Sequence, residues 1–473
     1  MSLLPSLLLG AALAAPSPPK AAGLGLELPP VAPLPAPAFP VPTLHHLESG
    51  APVWLVHRPD LPLVRVEVSL RGGQVAARRP LALQAAGALL DQGTAGHPGP
   101  TWQAAAGDLG ARTTLGVGTF RAWVDVEVLS GGEGPALALL AEAIDQPELD
   151  RAAVRRLRRA WRRSGDDSDR SLNAVTDAAR LRAELPPEHP LGAIWGDRDY
   201  RRLRPGRLRR AWRRQRAAAG VAVVVVGDAS ADRILPLLER HLGHLSADFT
   251  PARLTPPPAR GPQRLLVDLP GLEQARVVLT LPAPGIGASD APATDLVVHA
   301  LCGAFTSRLN LRLRERDGLT YGASCRVEAR PGYGRLIVEV PTDASDVGAV
   351  VRAIEAELGA AVETLPTAAE HAAARRGLLV AAARDQLEGA QVAWVLGAAL
   401  THGRAPAAAA DDLRALGAVS VEDARSLAAA TLGAADRTWL FVGDARTIEP
   451  ALHAVERPPD RVWPAATVVA PRR

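Results

Sequence analysis

At 473 residues the chain is too long for one domain of ordinary size, and 47% hydrophobic with 22% charged residues is the balance of a folded protein, not a disordered one. A net charge of +4 is small for that length and does not call for a nucleic-acid partner. Two cysteines, Cys302 and Cys325, exclude a disulfide-stapled scaffold, an iron–sulfur cluster and a Cys-rich zinc site.

Residues 3–15 form a short apolar run ending in Ala12, Leu13 and Ala14, a small-x-small pattern suited to signal peptidase. The run is too short to span a bilayer, and no later stretch reaches about 18 uninterrupted apolar residues. The expectation is therefore a signal peptide over 1–14 and an exported chain, periplasmic or extracellular, without a membrane span. Residues 15–41 are dense in Pro and Ala, a composition that favours extended conformations and reads as a tether.

Val64, Val66, Val68 and Leu70 alternate with Arg65, Glu67 and Ser69, the period-2 signature of a half-buried strand. A helix is expected over 81–90. Between 151 and 216 the chain holds 20 Arg against 8 Asp or Glu, and the octapeptide Arg-Leu-Arg-Arg-Ala-Trp-Arg-Arg occurs at both 156–163 and 207–214. Nucleic-acid binding is one reading of that density. Val154, Leu157 and Trp161, like Leu208 and Trp212, fall at helical spacing, so solvated arginines around a narrow apolar stripe are the preferred reading.

The second half repeats the first. Ala275, Val277, Leu279 and Leu281 lie in a strand like that of 64–70, and the β-branched run 221–226 and the later 439–442 both lead into Val-Gly-Asp-Ala, at 226–229 and 442–445. The intervals from opening strand to closing motif are about equal, which points to duplication. The chain divides accordingly into a first lobe over 42–246, a Pro- and Arg-rich linker over 247–262, a second lobe over 263–456 and a tail over 457–473.

Several segments then become specific: 61–73 followed by Gly93-Thr94, His189-Pro-Leu-Gly192, 271–278, and Ser307-Arg-Leu-Asn-Leu-Arg-Leu-Arg-Glu-Arg-Asp-Gly-Leu-Thr-Tyr-Gly322. In order and spacing, over roughly 42–450, the chain resembles the insulinase-like (pitrilysin, M16) metallopeptidases. The resemblance implies an α+β fold of two homologous α/β lobes, each an antiparallel-rich sheet with packed helices, together forming half of a clamshell. Peptide-cleaving members carry His-x-x-Glu-His on the first long helix, where two His four apart grip Zn²⁺ and the Glu activates the metal-bound water. Counting back from Gly93-Thr94 puts those positions at Gln84, Gly87 and Ala88, and none supplies a zinc ligand or base. The third ligand of the family is a Glu on a later helix, near 151–170, yet no Glu occurs between Glu148 and Glu184. This chain is therefore expected to hold no cofactor and to be inactive alone. His241 and His244 form a His-x-x-His without an evident third ligand or base, and His45-His46 ends the tether; surface histidines account for both pairs better than a relocated zinc site does.

The resemblance also assigns Arg314 and Tyr321, in the register of an Arg and a Tyr that the family directs at substrate bound to the zinc of the opposite lobe. Gly318 is expected to end a helix and Tyr321 to open the next strand. A guanidinium and a phenol are fixed donors suited to a carbonyl becoming an oxyanion. An empty zinc lobe with an intact Arg/Tyr lobe is the pattern of the non-catalytic subunit in the heterodimeric branch, whose partner supplies His-x-x-Glu-His and zinc, with extended peptides as substrate. A peptide-binding or assembly scaffold without a proteolytic role is the alternative, and a peptidase with relocated metal a third. Cys302 and Cys325, 23 apart, could be joined in an exported protein, but two buried thiols are the simpler expectation.

Overall fold

The computed structural model describes residues 38–168, 171–218, 220–249, 254–258 and 261–472. The expected signal peptide, the expected tether up to residue 37 and parts of the expected linker lie outside the described residues. The first half contains β1 (Thr43–His46), β2 (Pro52–His57), β3 (Leu63–Arg71), helix α1 (Pro80–Gly87), β4 (Arg112–Val117), β5 (Arg121–Leu129), helices α2 (Arg151–Ser168), α3 (Leu172–Glu184) and α4 (Pro205–Ala218), and β6 (Val221–Gly227). The second contains β7 (Gln263–Asp268), β8 (Gln274–Ala283), β9 (Ser324–Arg330), β10 (Tyr333–Asp343), helix α5 (Gly389–Thr401), β11 (Thr438–Gly443) and β12 (Arg461–Pro464). Two six-stranded sheets result, ordered β1-β2-β6-β3-β5-β4 and β12-β7-β11-β8-β10-β9.

Five positions of the two sheets correspond one to one. In each, the closing strand, β6 or β11, runs parallel to the first core strand and antiparallel to the long second one. The repeated Val-Gly-Asp-Ala marks the end of that closing strand: Gly227 has φ +135°, and a Cβ there would run into the Leu63 carbonyl of the neighbouring strand. The sixth position breaks the repeat. The first sheet fills it with β1, antiparallel to β2, whereas the second fills it with β12, parallel to β7. Residues 461–464, read as tail from sequence, thus form an edge strand.

The two faces of each sheet are covered from different halves. Val64, Val66, Val68 and Leu70 pack with Val124, Val126, Leu137, Leu208 and Trp212 inside the first half. The opposite face is covered by α5 of the second half, whose Val392, Ala393, Leu396 and Leu400 cluster with Trp54, Val56, Val224 and Val226. Reciprocally, Val175, Ala179 and Ala183 of α3 pack against Leu265, Val267, Val278 and Ile337 of the second sheet. Burying each large apolar side chain is worth about 1.5–3 kcal/mol, so this exchange is a main source of cohesion between the halves.

Beneath α5 the first sheet also carries charge. Arg121 on β5 pairs with Glu67 on β3, Ser69 Oγ donates to Glu67 at 3.0 Å, and the Arg121 guanidinium lies 4.3 Å from the Trp394 ring. Gly397 is what lets α5 approach, because a Cβ there would collide with both Glu67 and Arg121. Beside the pair, Asp125 is held by Arg65 at 2.6 Å, and burial pushes its carboxyl up to about 7.

At the C-terminal end of α5, His402 meets the Phe120 ring edge-on with centroids 5.0 Å apart. Burial, aided by Arg121 and Arg404, pushes its imidazole down to about 4. A folded-state value below the ordinary one near 6.5 gives stability that is present above about pH 6.5 and lost as pH falls towards 4. Asp125 acts with opposite sign, its raised value favouring the folded state at low pH. Wild type is therefore expected to lose melting temperature relative to His402→Gln as pH drops from 6.5 to 4; a pH-independent difference would contradict this account of His402.

Candidate functional site

Gln84, Gly87 and Ala88 lie on α1 and at its end. The helix is shorter than the expected 81–90: Ala88 N still donates to Gln84 O, but Leu89 and Leu90 donate three residues back, to Ala86 and Gly87, tightening the chain into turns. Gly87 is buried, and a Cβ there would enter the Val117 side chain of β4. Exposed Ala88 borders a cleft of about 500 Å³ that also meets Arg156, Arg159 and Arg163 of α2. Gln84 borders another cleft, of about 340 Å³, with Trp161 and Ser164.

These residues do not fit zinc. One amide and two side chains without donor atoms stand on α1, the facing helix offers guanidiniums in place of a carboxylate, and a buried Gly87 has no room for a Glu. Among the described residues, no group of three or more His, Cys, Asp or Glu could hold a metal ion. His244 is engaged by Asp145 at 3.0 Å, and the same carboxylate takes Arg216 at 2.6 Å. His45 Nε2 lies 3.1 Å from Thr43 Oγ1 in β1.

On α2 and α4 the apolar stripes seen in sequence are buried at Val154, Leu208 and Trp212, and the Trp212 indole donates to Ile144 O at 2.7 Å. Most of the arginines between them face solvent.

In the second half, Arg314 lies in a π-helical stretch, Leu311–Arg316, and Gly318 has φ +65°, ending it as expected. Tyr321 does not open the next strand. It stands in a loop three residues before β9, and the loop is pinned: Asn310 Nδ2 donates to Ala304 O and Ala323 O, Asn310 Oδ1 accepts from Ala323 N, and Thr320 Oγ1 donates to Pro341 O at 2.6 Å. Thr342 Oγ1 donates to Leu319 O at 2.7 Å, and Arg312 holds Asp317 at 2.6 Å. On this fixed support Tyr321 is 93% exposed. The Arg314 guanidinium lies 4.7 Å from the ring of Phe305, itself 71% exposed, and its Nε is 3.4 Å from Glu315. Neither Phe305 nor Asn310 carries a signature of its own in the sequence; their one signal is their place beside and in the 307–322 motif.

Contrary to the expectation of free thiols, Cys302 and Cys325 are joined in a disulfide with Cα atoms 5.5 Å apart. Cys302 is the non-helical residue inside a distorted π-turn, His299–Gly303, which packs against β9, and Cys325 is the second residue of that strand. The bridge closes a segment that contains Phe305, Arg314 and Tyr321.

Two sheets of matching strand order, each roofed by a helix of the other half, define a two-lobed α/β protein of repeated architecture. Residues 203–378 match the family described as the peptidase M16 inactive domain, so the chain carries that domain and has the M16 fold. The match includes Arg314 and Tyr321. Among solved structures, the chain is similar to a peptidase M16 inactive domain from Pseudomonas fluorescens at 20% identity, covering 85% of this chain and 98% of that one, with TM-score 0.78. It is similar to a protease from Helicobacter pylori at 15% identity, covering 85% and 100%, with TM-score 0.74. A third is the periplasmic protease PqqL from Escherichia coli, at 16% identity and TM-score 0.68, where the alignment covers 89% of this chain and 50% of that one. Identities this low speak for the fold alone. No curated protein matches the sequence. Among the described residues, no helix is long and apolar enough to cross a membrane.

Proposed function

We propose that this chain is the zinc-free member of an exported two-chain peptidase: it pairs with an M16-like subunit carrying His-x-x-Glu-His and zinc, and places Arg314 and Tyr321 against the carbonyl of an extended peptide. The observation that carries the reading is the pinned loop of 317–323, which presents an exposed phenol and follows a helical turn whose Arg314 guanidinium is steadied on Phe305. Rigid support of an exposed donor is wasteful for the fold of this chain alone, whereas it suits a contact completed by another molecule. The edge strands β4 and β9 have one unpaired side each, and an extended peptide adding to such an edge gains affinity through backbone hydrogen bonds. PqqL supports the arrangement, since this chain spans half its length and an equal portion accompanies that half in one polypeptide. Its periplasmic setting agrees with the apolar run at 3–15.

Alone, the chain is expected to bind no zinc and cleave no peptide. Tagged protein purified from the native exported fraction is expected to bring down, at about one-to-one stoichiometry, a chain with His-x-x-Glu-His. A partner without that motif would instead make this a peptide-binding or assembly scaffold.

A further inference from the structure

A cavity of about 360 Å³ lies between the start of α1 and the face of α4, in the size range of small-molecule sites. Its wall carries six arginines, Arg71, Arg78, Arg79, Arg207, Arg210 and Arg214, and no Asp or Glu lines it. Its floor is apolar, made by Leu83, Phe249 and several alanines.

Among the described residues, guanidiniums without a partner also stand elsewhere on α2 and α4, at Arg155, Arg156, Arg159, Arg163 and Arg213; what sets the cavity apart is that six arginines line it together with Leu83 and Phe249. Arg162 and Arg201 share Asp197, and Arg216 at the end of α4 is paired with Asp145. Around the cavity, Arg71 donates only to the carbonyls of Gly220 and Ala247 and lies 4.3 Å from the Phe249 ring, while Arg207 donates to Arg202 O. Among the described residues, the guanidiniums of Arg78, Arg79, Arg210 and Arg214 have no hydrogen-bonded or ion-paired partner. Four free guanidiniums at one concavity repel one another, and an oxyanion relieves that repulsion while accepting their paired N–H groups. The apolar floor would gain nothing from an inorganic ion and can bury a ring or a short chain.

We infer that this cavity binds a small organic anion, a phosphate or carboxylate head carrying an apolar body, with the head held by Arg210 and Arg214 and the body on Leu83 and Phe249. The site shares no residue with the 304–323 segment, so it stands apart from the peptidase reading.

Calorimetric titration of the full chain with phenyl phosphate, benzoate and inorganic phosphate, at fixed moderate salt, tests the inference. Saturable one-to-one binding of phenyl phosphate or benzoate is expected, at least tenfold tighter than that of inorganic phosphate, and the preferred compound identifies the head group. Arg210→Gln/Arg214→Gln is expected to weaken it at least tenfold without changing the melting temperature, while Arg155→Gln/Arg159→Gln on α2 leaves it unchanged. No saturable binding of either organic probe, equal affinity for inorganic phosphate, or equal loss in both double variants would overturn the inference.

Discussion

In a complex with a zinc-bearing partner, Arg314→Ala and Tyr321→Phe are each expected to lower kcat/KM for peptide hydrolysis by about 10²-fold or more, the cost of removing one donor to a forming oxyanion. Neither change should disturb the fold of this chain. Tyr321 is almost fully exposed, and Arg314 contributes only a surface contact with Phe305 and a 3.4 Å approach to Glu315. Melting temperature and pairing stoichiometry should therefore match wild type while turnover falls. Unchanged turnover in both variants would remove the assigned role, and a fall accompanied by dissociation would turn the loop into an assembly contact. Tyr321→Phe is the sharper variant, because it removes one hydroxyl and keeps the ring.

Glu67→Ala is expected to cost about 3–5 kcal/mol of folding stability, the usual result of stripping a buried charge of its partner. Glu67 and Arg121 are both under 6% exposed, and burial raises the carboxyl and lowers the guanidinium from their ordinary ranges. Without Glu67, Arg121 keeps Ser69, the face of Trp394 and the neighbouring charge of Asp125, which Arg65 already holds. Removing both charges together with apolar residues of similar volume, Glu67→Leu/Arg121→Met, should recover most of the loss. Denaturant unfolding measures both, and a loss below about 1 kcal/mol in Glu67→Ala would show that α5 does not seal the pair from water.

Much of the architecture was legible because it is written in local patterns. Alternation at Val64, Val66, Val68 and Leu70 marks a strand with one face in the core, and the duplicated Val-Gly-Asp-Ala marks where two closing strands end on a glycine of positive φ, Gly227 and Gly443. The exchange of helices was not legible. Val175, Ala179 and Ala183 announce an amphipathic helix, but periodicity says nothing about which sheet receives it. Residues 461–464 are too few, and end on a proline, to stand out as a strand, and their pairing comes wholly from the distant β7. The disulfide escaped for the same reason: a spacing of 23 becomes a 5.5 Å approach only once the π-turn packs against β9. Within the candidate site, Gln84, Gly87 and Ala88 could be located only through resemblance, since an absent ligand has no pattern of its own. Arg314 and Tyr321 were located in the same way, while the ring beneath Arg314 depends on how the chain returns from Phe305.

The reciprocal roofing by α3 and α5 bears on how such a chain could arise. A single half made alone would leave Trp54, Val56, Val224 and Val226 facing water, with its own helix extended towards nothing. Two identical copies would solve this for each other as a symmetric helix-swapped pair, so the ancestor of a duplicated chain of this kind is best pictured as a dimer whose halves were later fused. Fusion through the linker replaces a concentration-dependent encounter with a permanent local one, and what was an intersubunit surface becomes core. Once fused, the halves were released from identity, and the sixth strand records it: β1 closes one sheet antiparallel and β12 the other in parallel.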